Sequence, residues 1–371
     1  MSTDVVIVGG GVIGLSLAWQ LAGQGRDVTV LDKQQTGREA SWAGAGILPP
    51  GHSPGARTSF DQLRALSVGM WLEFSKQLLS ETGIDNGYRH CGGLTVTLED
   101  ESCEAYRAEW MSEGVELEDL NGEGLRYHEP NLSEKIEDGF RLPNLCQVRN
   151  PRHLQALSTA CRQRGVDLRC DEPVEQIMQA DGRISAVKTR SGSLSADQFC
   201  FTAGAWTGRL LNASGYSLPI VPVRGQIVLY RTEKPLIRHV IEVGKRYLVP
   251  REDGRLLVGS TEEHVGYEKI NTDLAIAELK KFAIKLIPTL KSVDVEKTWA
   301  GLRPMSQTGS PFLGLLPGID NAYVAAGHFR AGLQTSPATA LVMKQLMCGE
   351  EPSLNLQDFA INMTHVVESA S

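Results

Sequence analysis

Apolar and polar positions along the chain predict strand, helix, strand at the start and a series of short strands later. Residues 4–8 form a short apolar run rich in β-branched side chains and read as a buried strand. Residues 11–24 read as a helix that Gly25 can close, and residues 27–32 as the next strand. Ser59–Thr82 carries Leu63, Leu66, Met70, Phe74 and Leu78 as a helical stripe. Residues 91–98 read as a strand, 104–113 as a helix, and 153–164 as a helix ended by Gly165. A strand follows over 166–170, and then a meander over 174–178, 184–189 and 194–202. Its turns fall at Asp181-Gly182 and Ser191-Gly192. Residues 222–230, 246–250 and 255–260 predict a second, mainly antiparallel sheet. Asp273–Leu286 reads as a helix with Pro288 as a stop signal. The last helix, 337–347, begins at a Ser-Pro pair with Ser336 placed to cap it.

The first strand-to-helix turn carries chemistry. Gly9, Gly11 and Gly14 stand in G-x-G-x-x-G spacing, and the second strand ends on Asp32, 18 residues after Gly14. Gly9 permits a tight turn, Gly11 lets a pyrophosphate approach the backbone, and Gly14 lets the helix sit close to the sheet. The helix start offers N–H groups and a positive dipole end to phosphates. Asp32 can accept hydrogen bonds from a ribose diol, so an adenine dinucleotide is implied. A purely structural glycine turn is the bland alternative. Two further stretches can bring backbone near a flat ligand: the small-residue loop 36–52, whose alternative is a plain flexible loop, and the Ala203-Gly204 end of a strand. Gly327 and Gly332 flank His328-Phe-Arg330 in a glycine-rich loop leading to the last helix.

Composition narrows the class. A chain of 371 residues has room for two domains. Its net charge of -7 argues against a nucleic-acid binder. No apolar run is long enough for a membrane span, and the start of the chain lacks the basic segment of a signal peptide. Seven scattered cysteines without a C-x-x-C pair suit a reducing cytoplasm and give no zinc site. No metal is expected.

Five stretches together carry a resemblance: the opening Val8 to Gly14, Ala40 to Leu48, Tyr247 to Arg255, Gly301-Leu-Arg-Pro304 and Gly327 to Gly332. In this order along nearly the whole chain they resemble FAD-dependent amine oxidases of the D-amino-acid oxidase superfamily, and within it the glycine oxidases of thiamine biosynthesis. The resemblance implies an α/β fold: a Rossmann-type FAD-binding domain plus a mainly antiparallel β-sheet substrate domain flanked by helices. Segments 1–85, 150–220 and 301–371 would form the first, and 86–149 and 221–300 the second. It implies FAD as cofactor, O₂ as acceptor, and a small amino acid oxidised to an imine that hydrolyses to a keto acid and ammonia. A homo-oligomer is expected.

Roles carry over by motif. Val12 and Ile13 lie at the pyrophosphate turn, and Asp32 and Lys33 at the adenosine ribose. Ala40, Ser41, Ala45, Gly46 and Ile47 line the flavin side, and Val174 and Gly204 present backbone to the nucleotide. His328, Phe329, Arg330, Ala331, Gly332, Leu333 and Gln334 wrap the isoalloxazine. Arg303 resembles the arginine that clamps the substrate carboxylate, which would put Tyr247 and Arg330 close to the substrate. Two departures stand out. Ile47 replaces the methionine of some members. Residues 305–315 lack the cysteine to which some sarcosine oxidases attach FAD, so non-covalent FAD is expected.

Bland readings remain beside these. Arg303 could pair with a structural acid, Tyr247 could be core, and Arg330 could contact flavin or backbone. His328 and Trp42 read better as packing than as catalysts. A dehydrogenase passing electrons to another acceptor, and a flavin-binding subunit without turnover, stay open as alternatives.

Overall fold

The computed structural model describes residues 3–51, 53–98 and 102–362; His52, the end of the small-residue loop, lies outside them. Two sheets carry the architecture. The first has six strands in the order Phe312–Leu315, Ala322–Ala326, Ala196–Phe201, Thr3–Val8, Val28–Leu31 and Asp167–Arg169. Its neighbours run parallel except at the Phe312–Leu315 edge. Thr3–Val8 lies inside this sheet with almost every residue buried. A strand covered on both faces needs apolar residues at every position, hence the unbroken run that begins the sequence. Helix Val12–Gly23 leaves it directly and packs against Asn150–Gln163 and Ser336–Met347. Outside them Ser59–Thr82 is fixed at one end by a Thr58–Asp61 capping box and at the other by Gly83 at φ 71°.

The second sheet has eight strands in the order Val295–Ser306, Ile220–Arg231, Arg255–Gly259, Arg246–Pro250, Val240–Val243, Gly93–Val96, Asp138–Leu142 and Glu118–Asn121. Only Val240–Val243 with Gly93–Val96 is a parallel pair. Alternation sorts its side chains onto two faces. Val228, Tyr230, Leu248 and Val258 pack under Phe282 and Leu286 of helix Asp273–Leu286. Ile227, Leu229, Val249 and Leu257 belong to the cluster on the opposite face. Pro304 stands in the edge strand, where a residue without an N–H is tolerated.

Four sequence expectations need correction. The strand expected over 194–202 is two strands. Gly192–Leu194 completes a hairpin stack with Arg183–Thr189, and Ala196–Phe201 crosses to the parallel sheet. The expected helix 153–164 begins at Asn150, with Pro151 in its first turn. The strand expected from residue 174 begins at Gln176, which leaves Val174 outside the ladder. Ser336 does not cap its helix: Thr335 holds the cap position, but its hydroxyl donates back to the Ala331 carbonyl at 2.9 Å, and the Ser336 hydroxyl donates to the Leu333 carbonyl at 2.9 Å. Short strands such as Glu118–Asn121 and Cys146–Gln147 have no readable period and are defined only by their partners.

Candidate active site

A cavity of about 750 Å³ is lined by residues of both sheets. One end is built from main chain. Gly9, at φ 116°, ends the first strand, and a Cβ there would crowd the Thr202 carbonyl. A Cβ on Gly14 would overlap the Gly9 carbonyl oxygen, so the helix can rest this close to the turn only as glycine. Gly11, Val12 and Ile13 line the cavity at the helix start, and Gly14 does not. The Val12 N–H donates to the Ser41 hydroxyl at 2.9 Å, which joins the small-residue loop to the first turn. Asp32 accepts from the Gly10 N–H at 2.8 Å and the Gln34 N–H at 3.0 Å. Burial pushes its carboxyl above the ordinary carboxylate value, and those two N–H groups oppose the push. Lys33 lies 3.2 Å from the centre of the Trp206 ring and pairs with Glu39 at 3.0 Å. Val174 and Gly204 also line this end.

The other end is built from side chains on one face of the antiparallel sheet. Register brings them together: Glu242 opposite Tyr247, Tyr247 opposite Gly259, Ile227 opposite Gly259, Gly225 opposite Gly301. Arg303 follows two residues after Gly301 on the same face. Two glycines clear space here. A Cβ at Gly225 would overlap the Arg303 guanidinium, and one at Gly259 would meet the Tyr247 ring at 2.7 Å. The Arg303 guanidinium donates to the Thr261 carbonyl at 3.1 Å and to the Ser260 hydroxyl. No carboxylate pairs with it among the described residues. Burial lowers its pKa from the ordinary value, with the Tyr247 hydroxyl opposing; a guanidinium stays charged all the same. Arg330 is paired with Glu262, which Lys245 also holds at 2.8 Å. The Lys245 bond, followed by Arg330, keeps the Glu262 carboxyl down at about 2.

Residues 4–346 match the family described as FAD dependent oxidoreductase, DAO. The chain belongs to that family. It is 35% identical over 362 residues to the glycine oxidase of Pseudomonas putida, covering 97% of this chain and 98% of that one. The bifunctional protein ThiO/ThiG of Synechocystis sp. is 34% identical over 371 residues, covering 97% of this chain and 54% of that longer one. The crystal structure of glycine oxidase from Geobacillus kaustophilus aligns with a TM-score of 0.92 at 29% identity, covering 97% of this chain and 98% of that one.

The cofactor of this oxidoreductase is FAD, and the residues fit it. The glycine cradle, the open helix start and Asp32 suit a dinucleotide, and the cavity continues past them to the substrate-side wall. The expected loop arrives as well: Ala40, Ser41, Ala45, Gly46, Ile47 and residues 328–334 line the cavity. Phe329 takes φ 50°, with its N–H on the Pro304 carbonyl at 2.7 Å. Gln334 reaches the Pro49 carbonyl at 2.9 Å and ties two walls together. His328 is buried and neutral, its pKa pushed down to about 3 by burial, with Nε2 3.1 Å from the Thr339 hydroxyl. Trp42 packs edge-on against Trp299.

The sequence reading missed Glu242, Thr202, Arg64 and Trp206, all of which line the cavity. Thr202 donates to the Gly9 carbonyl at 2.7 Å and braces the turn. Glu242 sits in an unremarkable Val-Ile-Glu-Val run; its partner Tyr247 was flagged, and the hairpin that pairs them was not. A second missed link is the segment after Gly259. Glu263 and Glu268 pair with Arg224, and Lys269 reaches Glu39 at 2.7 Å.

Proposed function

We propose that the protein oxidises glycine and similarly small amines such as sarcosine and small D-amino acids. The products would be the imine or 2-oxo acid, ammonia and hydrogen peroxide, with O₂ as terminal acceptor. The observation that carries this reading is Arg303: a half-buried guanidinium with no carboxylate partner among the described residues, facing a cavity whose far end suits FAD. Similarity to glycine oxidases over almost the full chain supports the same substrate, and similarity to ThiO/ThiG supports a role in supplying thiazole formation for thiamine.

In this reading Arg303 takes the substrate carboxylate through two parallel N–H bonds and fixes its direction. Tyr247 supports the guanidinium and narrows the pocket floor, while Gly225 and Gly259 leave the space both side chains occupy. Arg330 and Glu262 close the rim as an ion pair. Asp32, Lys33, Val174 and Gly204 hold the adenosine half, and Gly9, Gly11, Val12 and Ile13 the pyrophosphate. Ala40, Ser41, Ala45, Gly46, Ile47 and residues 328–334 hold the ring system. Bound there, FAD supplies the two-electron acceptor for the substrate Cα–H. No cysteine lines the cavity among the described residues, which supports non-covalent attachment. Segments 1–85, 150–220 and 301–371 serve the nucleotide and 86–149 and 221–300 the substrate; strands Ile220–Arg231 and Val295–Ser306 run across both. Seven free thiols fit a reducing cytoplasm, and a homo-oligomer remains part of the proposal.

The test is anaerobic. Glycine or sarcosine added to the yellow protein should bleach the flavin, and admitting O₂ should restore the colour and release peroxide. Bleaching without reoxidation by O₂ would make it a dehydrogenase. No bleaching by any small amino acid would end the reading.

A further inference from the structure

Glu242 is an acid in the wall of the substrate-side cavity that pairs with no other side chain among the described residues. It lies mid-strand in Val240–Val243 and lines the cavity beside Tyr247, its cross-strand neighbour. No hydrogen-bond donor of the protein reaches its carboxyl group among the described residues. The charged and titratable groups around it are few. Tyr247 comes from the adjoining strand and Arg330 from the flavin-side loop, while Arg303 projects from the same face of the sheet four strands away. The strand on its other side offers only Thr95. Arg330 is already held by Glu262, and Glu262 by Lys245. An enclosed carboxylate without a donor is costly unless a cation or donor arrives from outside the protein.

We propose that Glu242 receives the amine of the substrate, holding it opposite the Arg303-bound carboxylate and accepting its proton before the Cα–H bond is broken. This rests on the functional reading above. An α-amino acid in solution is a zwitterion, and an ammonium nitrogen has no lone pair to stabilise loss of hydride from its carbon. In the proposed step one N–H bond breaks and one O–H bond forms on the Glu242 carboxyl. A proton moves and no electrons leave the substrate. The proton returns to solvent when product departs. Burial supports the assignment by raising the Glu242 carboxyl to about 7, against the pull of Arg330. A base with that affinity can take a proton from a bound ammonium and still be ionised in about half of free molecules near neutral pH. The same carboxylate would separate amino acids from 2-hydroxy acids, whose hydroxyl brings no positive charge to it.

Glu242→Gln keeps the shape and removes the acceptor. For wild type, kcat/KM for glycine should rise with pH through about 7, the ionisation of Glu242 in the free enzyme. The Gln variant should lose that limb, fall roughly 100-fold at pH 7, and recover at higher pH as the free amine loses its own proton. Glu242→Asp should restore part of the loss at neutral pH. Acetate, which has a carboxylate and no amine, should still perturb the flavin spectrum of the Gln variant, with equal or tighter binding. An infrared difference band of a carboxyl titrating near neutrality should be present in wild type and absent in Glu242→Gln. A Gln variant that keeps the wild-type pH limb, or that loses acetate binding along with turnover, overturns the proposal. If wild type itself fails to be bleached by glycine or sarcosine, the functional reading falls first and this inference with it.

Discussion

The two ends of the cavity are made of different material. At the nucleotide end, backbone does the shaping: Gly9, Gly11 and Gly14 allow the turn, and Asp32 is the acid proposed to meet the ribose. At the substrate end, side chains do it: Tyr247, Glu242 and Arg303 project from three strands, and glycines opposite them only make room. A backbone site is specified within about thirty consecutive residues and tolerates no added bulk. A side-chain site depends on register between distant strands and can be retuned one residue at a time. Substrate choice can therefore change while cofactor choice stays fixed.

The largest expected effect breaks the first end. Gly14→Val forces a side chain into the Gly9 carbonyl, which belongs to the turn itself and has nowhere to go. FAD binding should be lost and the melting temperature should fall sharply, a cost of about 3 kcal/mol or more. Gly11→Val should be milder toward the apo fold, since the nearest atom to an added Cβ is the Ser41 hydroxyl at 3.2 Å. Equal apo stability of the two variants in a thermal melt would break the assignment of separate roles to these glycines.

Next comes the second end. Arg303→Ala should leave FAD bound and the fold intact while kcat/KM for glycine drops roughly 10²–10⁴-fold, because a bidentate charged contact in an enclosed pocket is removed. Arg303→Lys should recover only part, since a point charge lacks the planar fork. Steady-state rates beside a flavin spectrum decide it: a variant that loses both flavin and rate would show that the two ends are not separable.

Asp32→Ala should weaken FAD by about 1.5–3 kcal/mol, the range for a lost hydrogen bond to a charged group, with kcat on the loaded enzyme unchanged. Some of that cost falls on the free protein, because Asp32 also receives the Gly10 and Gln34 N–H groups. Fluorescence titration of apoprotein with FAD measures it. Unaltered affinity would remove Asp32 from the ribose.

The smallest effect concerns acid. The fully buried histidines among the described residues, His153 and His328, lie on the nucleotide side, and burial holds each at about 3 against an ordinary 6.5. The unfolded chain takes up protons below 6.5 where the folded protein does not. Their neutral forms therefore impose no penalty above that pH, and stability declines as pH falls from about 6.5 towards 3. His153 packs 5.1 Å from the Trp71 ring and 5.6 Å from Phe74, so His153→Phe can keep the packing. Its melting temperature should fall less steeply between pH 6.5 and pH 4.5 than that of wild type. Parallel slopes would assign the acid sensitivity elsewhere.

Legibility followed the same division. The parallel strand, the glycine turn, Ser59–Thr82 and Asp273–Leu286 could be read because their signals are local: an apolar run, a fixed spacing, a helical stripe. The residues carried over from the family motifs line the cavity, apart from Gly14, whose part is packing. Glu242 was illegible because nothing in Val-Ile-Glu-Val tells an inward acid from an outward one until Val240–Val243 is paired with Arg246–Pro250. The misplaced boundary at residue 194 has the same origin. One extended stretch serves two sheets, and only the partner strands reveal where the chain changes allegiance.

The long ladder between Ile220–Arg231 and Val295–Ser306 has a mechanical consequence. Its pairing runs from Ile220 opposite Ser306 to Tyr230 opposite Val295, and the segments on both sides of the cavity continue from it. Rotating one half against the other about a hinge would shear this ladder, and every broken rung would expose a donor and an acceptor at about 1 kcal/mol each. The ladder therefore opposes rotation of one half against the other. Side-chain swings at the rim, where the Arg330–Glu262 pair stands partly in solvent, would then be the cheaper way in for a glycine-sized molecule. Such swings take place in picoseconds to nanoseconds, whereas domain rotation takes microseconds or longer.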